Sequence, residues 1–147
     1  MDIQSSSQTI DEAKGDRRHF TVADANRALP YVRRIALDVQ SAYRNALEIQ
    51  QRLEHPLPGD EMHPLQRDRD QAMRTLNEYL EEFKQVGVEL RDHELGLLDF
   101  PAMHEGREVC LCWKLGEDQI AAWHEVDAGF AGRQDLALLE TEPTPSE

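Results

Sequence analysis

The chain has 147 residues, and its 29 acids outnumber its 16 bases to leave a net charge of −13. That length suits one domain, and that charge argues against a phosphate-binding surface, which needs a basic face. No run approaches ~18 apolar residues, so no membrane span is expected.

The first residues, MDIQSSSQTIDEAKGDRR, lack the apolar core of a secretory signal. Cys110 and Cys112 are the two cysteines. At i, i+2 along one strand they rarely bridge, which predicts a reduced, cytoplasmic chain. Residues 1–18 and 137–147 are polar and read as disordered tails around a single domain at 19–136. Residues 19–87 carry a net charge of only −2, whereas 88–133 carry −6.

The helical half opens at Thr21, an N-cap candidate, with Asp24 placed to close a capping box. Pro30 falls too late for a first turn, so either a short helix ends near Ala28 and a second starts at Pro30, the preferred reading, or one helix kinks there. From there Val32, Ile35, Val39, Ala42, Ala46, Ile49 and Leu53 step by 3 and 4, a coiled-coil type of seam. Ala36, Tyr43 and Leu47 widen its flank. PLPGDEMHP (56–64) breaks the helix. A second helix follows through Leu65, Ala72, Leu76, Tyr79, Phe83 and Val86, with Gly87 at its C′ position. Two antiparallel helices of roughly 22–25 residues, each about 35 Å long, are expected.

After Gly87 the period changes. Residues 88–90, 97–100, 107–115 and 119–126 are strand candidates, the last two separated by Gly116-Glu117-Asp118. They predict a small antiparallel meander with one face on the helices, and so an α+β fold.

These residues carry a likeness. Phe20-Thr21, Asp24-Ala25-Asn26 and Leu29-Pro30 begin it. Gly87-Val88-Glu89-Leu90, Asp92 and Gly96-Leu97-Leu98-Asp99-Phe100-Pro101 continue it. Leu111-Cys112-Trp113, Gly116-Glu117, Trp123-His124 and Gly129-Phe130-Ala131-Gly132-Arg133 end it. Over 19–136 the chain resembles the bacterial and archaeal family known as domain of unknown function 2203. The resemblance implies the layout of elements and assigns no catalytic residue, cofactor or substrate.

Five groups of residues are candidates for chemistry. His124 shares a strand face with Ile120, Ala122 and Val126, which is apolar; it is either a core imidazole with paired nitrogens or a metal ligand. Cys112 depends on register. If 115 pairs with 120, Cys112 faces Trp123 and His124 faces Leu111. If the hairpin slips by one, Cys112 faces His124 and a soft-metal pair forms, with Cys110 on the same face. Asp99, Glu117, Glu125 and Asp127 are acids that, with His124, suit a divalent ion. His124, Cys112, Glu125 and Asp127 are therefore the candidate ligands for zinc or manganese. Trp123, Gly129, Gly132 and Arg133 are candidates for holding a small anion, with the glycines forming a nest and Arg133 a fork. The plainer alternative is a tight loop with Arg133 paired to Asp127 or to a helix carboxylate. His55, Asp60, Glu61 and His63 gather in the interhelix turn, where turn chemistry explains them.

Two functions follow as expectations. The first is a non-enzymatic module that self-associates as a homodimer through its helices, with neither nucleic acid nor membrane as partner. The second is a metal- or small-ligand-binding protein with its site around the C-terminal sheet and GFAGR loop.

Overall fold

The computed structural model describes residues 18–136. Helix α1 (Val22–Glu54) turns back through a short loop into α2 (Met62–Val86). Five strands follow: β1 (Glu89–Asp92), β2 (Leu97–His104), β3 (Arg107–Lys114), β4 (Ala122–Glu125) and β5 (Gln134–Asp135). They form one antiparallel sheet in chain order, with a 3-10 turn at Phe130–Gly132 before β5. The architecture is α+β. No helix among the described residues is long and apolar enough to cross a membrane. The expected tails lie outside the described residues except for Arg18, whose guanidinium sits 4.2 Å from the centre of the Phe20 ring.

Helix α1 starts where expected. The Asp24 amide donates to Thr21 Oγ1 at 3.0 Å and the Thr21 amide donates to Asp24 Oδ2 at 3.3 Å. These bonds, with Arg27 beside them, hold the Asp24 carboxyl below its usual range. The expected break at Pro30 does not occur: α1 is one helix of 33 residues, about 50 Å long, with Pro30 inside it. Proline forfeits one helical hydrogen bond and costs ~3 kcal/mol. Around it Ala25, Leu29, Val32 and Ile35 are all buried in the core, and their burial offsets that cost. Helix α2 ends at Gly87, whose φ of 94° lets its amide and that of Val88 reach back to the Phe83 carbonyl.

The sheet's inner face packs Leu98, Phe100, Val109, Leu111, Trp113 and Trp123 on the helices in a single cluster. Strand β2 runs through Pro101 to His104, further than its apolar run suggests. Strand β1 reaches only as far as Asp99, so beyond it the Pro101 carbonyl accepts from the Phe20 amide on the vacated side. There a missing N–H breaks no ladder bond. Strand β5, absent from the expected meander, adds two residues beside β4.

The β3–β4 register is neither of the two weighed from sequence. His124 lies opposite Cys110, Leu111 opposite Trp123 and Cys112 opposite Ala122. The link between the strands is longer than a minimal turn. Ile120, expected in the strand, lies outside it and joins the core, its amide held at 2.7 Å by Asn26 Oδ1 from α1. Val126 is exposed. His124 therefore shares its face with Ala122 and not with Ile120 or Val126.

Gly96 closes the β1–β2 turn with φ +65°, and a Cβ there would stand 2.6 Å from Leu115 Cβ. Gly96→Ala combines a left-handed backbone penalty of ~1 kcal/mol with forced displacement of Leu115 of similar size. The expected result is a loss of about 2 kcal/mol in urea unfolding; an unchanged midpoint would contradict this contact.

Candidate functional site

An antiparallel sheet commonly leaves one face in water. Here the face turned from the helices is buried too. Asp99 on β2, Cys112 on β3 and His124 on β4 are exposed by 1%, 0% and 2%. Asp99 and Cys112 are direct cross-strand partners. His124 sits one pair further along, opposite Cys110, on the same face. One ligand atom from each of Asp99, Cys112 and His124 lies within 4.8 Å of the others.

The polar atoms form a chain. Glu89 Oε1 accepts from Arg91 Nη2 at 2.8 Å, and Arg91 Nε donates to Asp99 Oδ2 at 2.8 Å. Asp99 Oδ1 is 2.9 Å from His124 Nε2, and His124 Nδ1 is 2.7 Å from the Glu125 carbonyl oxygen. A carbonyl only accepts, so Nδ1 carries a hydrogen. The contact between Nε2 and Oδ1 then needs one proton between them, whichever atom holds it. Arg91 reaches Asp99 because the β1–β2 pairing shifts between Leu90 and Asp92, leaving Arg91 as the extra residue of a bulge. The Asp99 carboxylate in turn raises the Arg91 pKa.

Burial pushes the Cys112 thiol up to about 11, against the opposing pull of Arg133. It is a thiol, not a thiolate, at neutral pH. With both ring nitrogens engaged, His124 has none left to take the Cys112 proton. The geometry is thus not that of a cysteine–histidine nucleophile.

Glu117 anchors the other flank. Its carbonyl accepts from Trp113 Nε1 at 2.9 Å, and its carboxylate accepts from the Lys114 amide at 2.9 Å. Arg133 Nη2 reaches both carboxylate oxygens at 2.7 and 2.6 Å. Arg133 is therefore paired to the β3–β4 turn, not to Asp127 or a helix. A cavity of about 410 Å³ opens beside the cluster, lined among others by Arg91, Asp99, His124, Asp127 and Gly129.

The candidates from sequence are thus distributed as follows. Cys112 and His124 come together, joined by Asp99. Glu125 is gripped by Arg107 through bonds of 3.0 and 2.6 Å, which hold its carboxyl below the usual range and keep it out of the cluster. Asp127 lines the cavity without joining the three. Trp123 faces the helices, and its indole N–H has no hydrogen-bond partner among the described residues. Gly129, with φ +72°, lines the cavity, while Gly132 packs against Ala128. Asp60 is spent on the Leu57 amide and Arg52, as turn chemistry requires. Arg91 and the pivotal place of Glu117 were not singled out from sequence. Nothing in a four-residue strand announces a bulge, and a turn acid looks like any other.

A second surface lies on the hairpin. The His93 ring stacks on Tyr43 with centroids 3.5 Å apart, at the end of the sheet. Past that point the stripe that the sheet covers elsewhere continues uncovered. Leu47 and Met73 are 44% and 42% exposed, over a groove of about 200 Å³ formed with Tyr43, Ala46 and Leu76.

The motif residues Asp99, Cys112 and His124 meet on one face of one sheet, and Glu117 and Arg133 pair at its β3–β4 turn. No curated protein and no solved structure matches the chain. Residues 18–136 match the sequence model described as "Uncharacterized conserved protein (DUF2203)", and the chain belongs to that family.

Proposed function

We propose that the chain is a self-associating interaction module, a homodimer joined through the distal half of its helical hairpin. The uncovered Leu47–Met73 groove carries this reading. The distal packing between the helices includes three small side chains, Ala42, Ala46 and Ala72, that line open grooves. A second copy would thicken it into a four-helix bundle about a two-fold axis.

Charge supports a second copy as the occupant. The chain carries −13, yet residues 43–76 hold five arginines against six carboxylates, so two copies approach there with least repulsion. The acidic remainder disfavours nucleic acid. The two buried free thiols suit a reducing, cytoplasmic setting.

Sedimentation equilibrium of the full chain tests the proposal. Twice the chain mass of 16.9 kDa is expected at micromolar concentration. Leu47→Glu and Met73→Glu, each placing a carboxylate in the groove, should weaken the dimer by at least about tenfold. A wild-type monomer, or a dimer as tight in both variants as in the wild type, would overturn the proposal.

A further inference from the structure

The geometry points to a zinc-class metal centre on the outer face of the sheet, held by Asp99 Oδ1, Cys112 Sγ and His124 Nε2. Three different donors from three adjacent strands meet with their ligand atoms within 4.8 Å of one another. Tetrahedral ligands at ~2.0–2.3 Å from an ion stand roughly 3.3–3.8 Å apart, so closing the cluster asks only for small side-chain rotations. Among the described residues this is the group of three or more His, Cys, Asp or Glu that can share an ion.

The surroundings match what a bound ion requires. Histidine ligands generally donate their second N–H to a carbonyl or carboxylate, which fixes the ring. His124 Nδ1 already has the Glu125 carbonyl at 2.7 Å, so Nε2 is the nitrogen left for a metal. Arg91 holds Asp99 Oδ2, which leaves Oδ1, on the His124 side, as the oxygen placed to reach an ion. The proton now shared by Oδ1 and Nε2 is the one that an ion bound to both atoms would displace.

Charge closes as well. A divalent ion with the Asp99 carboxylate, the Cys112 thiolate and a neutral imidazole sums to zero. Arg91 is matched by Glu89, and Arg133 by Glu117, so neither guanidinium is left to repel the ion. Binding forms three coordinate bonds and sends two protons to solvent, one from the thiol and one from between Oδ1 and Nε2. Sulfur and nitrogen donors disfavour calcium and magnesium and suit zinc or cobalt. The adjoining cavity, lined by Asp99 and His124, leaves room for water as a fourth ligand.

Cobalt chloride titrated into the full chain, previously stripped with chelator, is the test. The expected result is one equivalent bound, with sulfur-to-cobalt charge-transfer absorption in the near ultraviolet. Cys110→Ala should keep that band. Cys112→Ser should lose it and bind at least about tenfold more weakly, a loss that removing even a group hydrogen-bonded to a ligand can cause. His124→Gln, checked for folding by far-ultraviolet circular dichroism, should lose stoichiometric binding. No band in the wild-type chain, or a band lost in Cys110→Ala and kept in Cys112→Ser, would overturn the assignment.

Discussion

Asp99→Leu is expected to lower the unfolding free energy of the chelator-treated chain by about 3–5 kcal/mol, the scale for breaking a buried ionic contact by removing one partner. The leucine leaves His124 Nε2 without its neighbour at 2.9 Å and Arg91 without its acceptor at 2.8 Å, on a face with almost no water. Asp99→Asn is expected to cost about 1 kcal/mol. Its amide oxygen still accepts from Arg91, and its NH₂ donates to Nε2 of a neutral imidazole whose hydrogen stays on Nδ1. Urea unfolding of both variants checks the pair. Equal losses would mean that volume, not hydrogen bonding, governs position 99.

Trp113→Ala should cost about 3–5 kcal/mol, within reach of the whole stability of a domain this size. Trp113 is the largest fully buried side chain, and it does two things at once. Its ring fills the core between sheet and helices. Its indole N–H also holds the Glu117 carbonyl, and so the turn whose carboxylate binds Arg133. Trp113→Phe separates the two roles: much of the ring volume stays, while the donor goes. Arg33 Nη2 remains 3.5 Å from the same carbonyl, so the phenylalanine variant should lose no more than half as much. Thermal unfolding followed by circular dichroism reads the difference.

Features that depend on neighbours in sequence were legible. Thr21, Asp24 and Gly87 end their helices for reasons contained within four residues, and the alternation of Cys110 and Cys112 is a property of one strand. Pro30 does not end the helix as its local penalty predicts, because the burial that offsets that penalty, at Leu29 and Val32, is tertiary. The β3–β4 register escaped for a related reason. The chain between Lys114 and Ala122 is set by Glu117, Ile120 and their partners Arg33, Arg133 and Asn26, all distant in sequence. The face shared by Cys112 and His124 was one of the two alternatives weighed. The place of Asp99 between His124 and Arg91 follows from a bulge and three strands in register, and no spacing of residues encodes that.

The two margins of the sheet bear on what the protein does at high concentration. Strand β1 is four residues long and distorted at Arg91, and β5 is two residues long. An open strand edge invites another strand to add and to keep adding, which is how native proteins grow into fibrils. Among the described residues, neither β1 nor β5 offers a run of unpaired amides long or flat enough to template that growth. The native fold is thereby guarded against amyloid-like polymerisation. Fibril formation would first require the sheet to come apart, so its onset should follow unfolding rather than concentration.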